Sequence, residues 1–263
     1  MKNLVILKIG GSVITDKHSK VPKVNYHNLN RIAKEISAGY KKMRLVLVTG
    51  AGSYGHQIVS RTGIDKGIST KRQLIDFAET QRLQNELNVI VTKALIKEGL
   101  PAIPCQASAS AIMLKGRLRE MGIKTIKGLL DIGMIPVLYG VPAYDKAQKC
   151  SILSGDQIAP YLAKKLGAKK IIHTTNVNGV FTADPTKDKS AKLIPEITKR
   201  NFKKVKKYLA GASTVDVTGG MAGKVSEILK VGIESQIISA LVPGNITKAL
   251  KGEKIGTAIK VSK

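Results

Sequence analysis

The chain has 263 residues, of which 43% are apolar and 4% aromatic, with no Trp and three Phe. That apolar share buries a sizeable core and excludes a disordered chain, and so few aromatics argue against a stacking platform for nucleic-acid bases. Lys and Arg number 44 against 18 Asp and Glu, a formal charge of +26, which attracts small polyanions such as nucleotides and phosphate esters without specifying one of them.

Residues 4–9 are apolar but for Lys8 and read as a strand, followed by helical spacing over 26–42 and a second strand over 45–49. A long helical pattern covers 71–98, then a strand at 101–104, a helix over 123–132 and a strand over 135–139. Helix 155–166, strand 170–175, helix 218–231, strand 235–240 and helix 246–251 complete the series. Strands that are apolar throughout are buried on both faces, which is the habit of a parallel sheet. Their alternation with helices predicts an α/β fold, a three-layer, doubly wound, mostly parallel sheet. The densest basic stretch, Lys199 to Lys207, reads as the solvated face of a helix.

At about 150 residues per domain, the length allows one large domain or two lobes. The boundary falls at Gly167-Ala168, with no flexible spacer. The expectation is therefore two tightly joined lobes, 1–168 and 169–263, sharing one continuous sheet. The first apolar run is too short for a signal peptide, and no run of about 18 uncharged apolar residues follows. Two cysteines, Cys105 and Cys150, build neither a disulfide framework nor a four-cysteine zinc site. A cytoplasmic protein without membrane contact is expected.

Several strands run directly into glycine-rich turns: Gly10-Gly11-Ser12 after the first, and Gly50-Ala51-Gly52-Ser53-Tyr54-Gly55-His56 after the second. Ser154-Gly155-Asp156-Gln157 opens a helix, Asn178-Gly179-Val180 follows strand 170–175, and Thr218-Gly219-Gly220-Met221 opens another helix. Glycine lets backbone N–H groups approach an anion, and a helix N-terminus adds free amides and a positive dipole end. In open α/β sheets ligands bind beyond the carboxyl ends of strands, so these turns predict a phosphate site. No G-x-x-x-x-G-K-[ST] motif occurs. Gly50, Gly52 and Gly55 match G-x-G-x-x-G, but Asp76, at the spacing of the expected acidic partner, lies inside a helical pattern.

Phosphoryl transfer spreads negative charge over equatorial oxygens, so cations beside such a site are candidates for catalysis. Lys8 interrupts an otherwise apolar strand just before Gly10-Gly11. Lys17 follows in the next loop, and Lys224 lies near the start of the last glycine-opened helix. Asp156 is placed to hold Lys8 and Lys224 by charge-assisted bonds. His18, His27 and His173 are expected to have no chemical role.

In order along the chain, Leu7-Lys8-Ile9-Gly10-Gly11-Ser12, the Gly50-to-His56 turn, Ser154-Gly155-Asp156-Gln157, Asn176-to-Pro185 and Asp216-to-Lys224 resemble the amino acid kinase superfamily. The histidine that closes the second motif is similar to the isopentenyl phosphate kinases and the related fosfomycin kinases within it, and Val242-Pro243-Gly244-Asn245 resembles the former group. The resemblance spans essentially the full length. It implies ATP-dependent phosphorylation of isopentenyl phosphate, in isoprenoid biosynthesis by the alternative mevalonate pathway, with Mg2+ accompanying ATP and a homodimeric assembly. It also implies acceptor binding in the N-terminal lobe, at Ala51, Gly52, His56 and Gly155, with His56 on the acceptor's phosphate. It places ATP against Lys8, Gly10, Gly11, Ser12, Gly52, Asn176, Asn178, Gly179, Val180, Phe181, Thr182, Gly219, Gly220 and Lys224. Lys8, Lys17, His56, Asp156 and Lys224 match the catalytic set; no metal ligand is assigned. The superfamily often carries aspartates where this chain has Asn176 and Asn178, and Phe where it has Tyr54.

Two alternatives remain at this stage. One is another small-acceptor kinase of the same fold, such as a fosfomycin kinase. The other is a basic RNA-binding protein, which would bind tightly, release with salt and turn over no ATP; specific nucleic-acid binding is not expected.

Overall fold

The structure is a computed structural model that describes residues 3–16, 19, 21–41, 43–210 and 220–260. Among these, fourteen strands and nine helices follow in chain order. The first half holds β1 (Leu4–Ile9), α1 (Gly11–Ile14), α2 (Tyr26–Gly39), β2 (Arg44–Thr49), α3 (His56–Thr62), α4 (Lys71–Lys97) and β3 (Ala102–Pro104). Then come β4 (Ala111–Leu114), β5 (Arg117–Met121), α5 (Lys124–Asp131), β6 (Ile135–Tyr139), β7 (Val141–Asp145), β8 (Lys149–Leu153) and α6 (Gly155–Leu166). The remainder is β9 (Lys170–Thr175), β10 (Val180–Phe181), β11 (Leu193–Ile194), β12 (Glu196–Ile197), α7 (Phe202–Ala210), α8 (Gly220–Val231), β13 (Ser235–Ser239), α9 (Asn245–Leu250) and β14 (Thr257–Ile259).

Eight strands form one sheet in the order β12-β14-β13-β9-β1-β2-β6-β3. From β13 to β3 every pairing is parallel, and β14 runs antiparallel to β13. β1 lies in the middle, bonded to β2 on one side and β9 on the other. The mostly parallel α/β fold with one continuous sheet is the expected one. All six strands read from apolar runs are present within two residues of their expected ends.

The period of two along a strand decides which side chains each layer of helices covers. Val5, Leu7 and Ile9 pack with Leu29, Ile32 and Ile36 of α2 and Leu87 and Val91 of α4. Leu4 and Ile6 face the opposite way, onto Ile158 and Leu162 of α6. Each such buried side chain contributes about 1.5–3 kcal/mol relative to exposure. Lys8 continues the even-numbered row, so the same alternation turns it towards α6.

Elements beyond the expected set are mostly outside the central sheet. A second, four-stranded sheet in the order β5-β4-β7-β8 stands apart from the first, and β10 pairs with β11 as a small hairpin. The basic stretch forms α7, with Lys203, Lys204, Lys206 and Lys207 exposed as expected. Helix 26–42 is shorter than expected, ending at Gly39, where α9 packs so closely that an added Cβ would lie 2.9 Å from Leu250. The start of helix 218–231 lies partly outside the described residues. No helix among those residues is long and apolar enough to cross a membrane.

Candidate active site

Because β2, β1 and β9 are parallel neighbours, the turns that follow them open on one edge of the sheet. Gly10 N donates to Thr174 O at 3.1 Å and Gly50 N to Ile9 O at 2.9 Å, stitching the three turns together. A Cβ on Gly11 would sit 2.2 Å from Gly52 N, so only glycine allows this contact. Gly52 itself holds φ +52, the left-handed region that favours glycine. A fourth turn, opening α6, joins them: a Cβ on Gly155 would meet Lys8 Cε and Val48 Cγ1 at 3.3 Å. Ala51 and Ser12 lie in the first two turns, half-buried and exposed respectively.

The charged centre follows from this packing. Lys8, 7% exposed, points from β1 towards the first turn of α6, where Asp156 sits. Lys224, one turn into α8 and 8% exposed, arrives from the other side. Its Nζ donates to both Asp156 oxygens, at 2.7 and 2.8 Å, and Lys8 Nζ lies 3.2 Å from Asp156 Oδ1. Burial alone would raise the Asp156 carboxyl, but Lys224 and Lys8 override it and hold it well below the usual carboxylate range. Burial pushes Lys224 below the ordinary lysine range, against the pull of Asp156 and with the charge of Lys8 adding to it. Two ammonium groups on one carboxylate leave a net positive charge at a water-poor edge lined with backbone amides.

His173, expected to have no chemical role, also lies in this cluster. It is register partner to Lys8 across the β1–β9 pair, fully buried, with Nδ1 3.7 Å from Asp156 Oδ1. Its neighbour in the strand, Thr174, and Thr49 at the end of β2 each bury a hydroxyl oxygen without a protein partner. The pairing of residue 8 with residue 173 is a property of sheet order, which local sequence does not display.

The smaller sheet roofs the site. Gln157, next to Asp156 in α6, accepts from Leu118 N at 2.8 Å and donates to Gly116 O at 3.1 Å. Arg117 makes a two-pronged pair with Glu227 of α8, at 2.9 and 2.5 Å. Asp145 shapes this turn from inside: its carboxylate accepts from the backbone N–H of Lys115, Gly116, Ala147 and Gln148 and from Ser151 Oγ. Burial would raise Asp145, yet the bonds from Gly116, Ala147, Ser151 and Gln148 bring it down to about 2. Under the roof lies a cavity of about 230 Å³, reached by Asp65, Arg117, Ser154, Asp156, Gln157 and Glu227.

Other expected residues lie around this centre. His56 is exposed as the first residue of α3, just after Gly55. Asn176 and Asn178 are exposed beyond the end of β9, and Asn245 Nδ2 donates to Asn178 Oδ1 at 3.4 Å. Gly179, Val180, Phe181 and Thr182 form the β10 segment, tied down by Val180 N donating to Thr257 Oγ1 at 2.8 Å. Gly220 opens α8. Lys17 and Gly219 lie outside the described residues. Asp76, buried in α4 beside Arg72, lies inside a helix as its sequence pattern indicates.

A sequence profile of the amino acid kinase family matches residues 3–242. The chain belongs to the amino acid kinase family. This amino acid kinase is 40% identical to the isopentenyl phosphate kinase of Methanothermobacter thermautotrophicus, across 97% of this chain and 98% of that protein. It is 35% identical to the isopentenyl phosphate kinase of Methanocaldococcus jannaschii, across 98% and 99%. A solved isopentenyl phosphate kinase structure superposes with a TM-score of 0.85 at 38% identity, covering 98% of this chain and all of that one.

Proposed function

We propose that this amino acid kinase transfers the γ-phosphoryl group of ATP to isopentenyl phosphate, giving isopentenyl diphosphate and ADP. The observation that carries the reading is the buried Lys8–Asp156–Lys224 cluster at the glycine-lined sheet edge, in a chain 40% identical to an isopentenyl phosphate kinase over nearly its whole length. An oxygen of the acceptor's phosphate attacks the γ-phosphorus while the bond to the ADP oxygen breaks. A phosphate monoester is already ionised at neutral pH, so the protein's part is positioning and charge stabilisation rather than base catalysis.

Lys8 and Lys224 face the transferred group, and Asp156 fixes their separation. A cation about 4 Å from that group contributes on the order of 4 kcal/mol at an effective dielectric near 20. Gly10, Gly11 and Gly52 present backbone N–H groups to it, with Lys17 as a further cation. Residues 1–168 bind the acceptor, through Ala51, Gly52, Gly155 and His56, the last gripping its phosphate. Residues 169–263 bind ATP through Asn176, Asn178, Gly179, Val180, Phe181, Thr182, Gly219 and Gly220. Among the described residues no three His, Cys, Asp or Glu side chains converge to hold a metal. Mg2+, accompanying ATP, would offset phosphate charge beside Lys8 and Lys224.

The protein works as a cytoplasmic homodimer. Strand β3 ends the sheet, and Val89 and Ile96 on α4 and Ile132 just after α5 are exposed, a face suited to a second copy. An ADP-release assay on isopentenyl phosphate, dimethylallyl phosphate, fosfomycin, glutamate and UMP tests the function. Turnover of isopentenyl phosphate is expected, and turnover of UMP or glutamate alone would overturn it. His56→Ala should raise KM for isopentenyl phosphate at least tenfold and leave KM for ATP unchanged; equal KM values for the acceptor remove His56 from the site.

A further inference from the structure

In β9, His173 follows the fully buried apolar residues Ile171 and Ile172 and precedes the buried Thr174. Its ring is as buried as theirs, and neither nitrogen has a hydrogen-bond partner within 3.5 Å. A leucine there would pack without any such loss, so a polar ring kept in this place calls for a role. Three charged groups face it: Asp156 from α6, Lys224 from α8 and Lys8 from β1. On its other side β13 offers only Ile237 as register partner.

Burial pushes the His173 imidazole down to about 4; Asp156 opposes this, and the two lysines add to it. The ring is therefore neutral at neutral pH and carries one N–H. The nitrogen nearest the carboxylate is Nδ1, 3.7 Å from Asp156 Oδ1, and a lone pair there would repel the anion. The proton therefore sits on Nδ1, pointing at Asp156.

We propose that His173 is a positioning residue for phosphoryl transfer, whose Nδ1–H steers Asp156 Oδ1 so that the carboxylate spans both Lys8 and Lys224. The geometry explains why such steering matters. Lys224 already engages both oxygens, at 2.7 and 2.8 Å, whereas Lys8 reaches only Oδ1, at 3.2 Å. Oδ1 thus takes both lysines, with His173 Nδ1 facing it at 3.7 Å. Without the donor behind it the carboxylate rotates towards Lys224, and Lys8 loses the contact that aims it. The role shows in the chemical step and not in ground-state binding, because His173, fully buried, presents no surface to a substrate. It rests on the kinase reading for its kinetic arm alone.

Two variants and one spectrum test it. His173→Leu fills the space without a donor, and His173→Asn returns an N–H close to the position of Nδ1. Leucine should lower kcat tenfold or more, with KM for ATP and for isopentenyl phosphate within threefold of the parent and Tm no lower. Asparagine should restore kcat to within threefold. The 15N–1H correlation of the His173 ring in the unaltered protein should show a neutral ring protonated on Nδ1. An unchanged kcat in His173→Leu, equal impairment of both variants, or a proton on Nε2 overturns the proposal. Should the parent fail to phosphorylate isopentenyl phosphate, the kinase reading falls instead, and the ring spectrum still decides whether His173 donates to Asp156.

Discussion

Asp156→Asn keeps the shape of the side chain and removes its charge, leaving Lys8 and Lys224 buried without a counter-ion. At about 3 Å and an effective dielectric near 20, each lost ion pair weakens the attraction by roughly 5 kcal/mol. The protein relieves this by releasing a proton. Lys224 yields first, since burial already lowers it and Asp156 was what held its proton on. One cation beside the transferred phosphoryl group then disappears, about 4 kcal/mol of transition-state stabilisation and on the order of a thousandfold in kcat. A cation is present below its folded-state pKa and lost above it. In Asp156→Asn that value drops further, so the variant should recover activity relative to the parent as pH falls from 8 to 6. Steady-state ADP release at saturating ATP and isopentenyl phosphate, measured across that range, reads both effects. A kcat within threefold of the parent, with the same pH profile, refutes the assignment of charge to this triad.

Gly11→Ala places a methyl group 2.2 Å from Gly52 N and should cost about 3 kcal/mol in urea unfolding, with activity lost. Gly128→Ala, inside α5 with open space around the new Cβ, should instead stabilise by about 0.5–1 kcal/mol, and the two together test whether contact or composition sets glycine usage. Asp145→Asn should lose about 2 kcal/mol at pH 7, because the folded carboxyl lies near 2 against an ordinary 3.8. A depressed carboxyl stabilises above its unfolded value, so the gap between variant and parent should close as pH falls from about 4 towards 2. A gap that stays constant down to pH 3 would show that the carboxylate charge is not what the roof turn needs.

The central sheet was legible because strands buried on both faces are apolar at every position, as in Leu45-Val46-Leu47-Val48. The roof sheet was not. Arg117-Leu118-Arg119-Glu120-Met121 is a strand in which only Met121 is fully buried, so its sequence looks like a polar loop. Lys8 and Asp156 could be picked out by their anomalies, a cation ending an apolar strand and an anion in the first turn of a helix. His173 carried no such local mark. Its importance arises when β9 pairs in register with β1 and α6 and α8 close over both, and those contacts join residues 8, 156, 173 and 224.

Val5 of β1 finds its partner Lys170 only 165 positions later. During synthesis at roughly 5–20 residues per second, the first strand to leave the ribosome waits on the order of ten to thirty seconds for one of its two neighbours. It must be shielded meanwhile by β2 and by the helices that precede β9, namely α2, α4 and α6, so nascent-chain protection of β1 should appear in stages, the last only after the β9 segment has emerged.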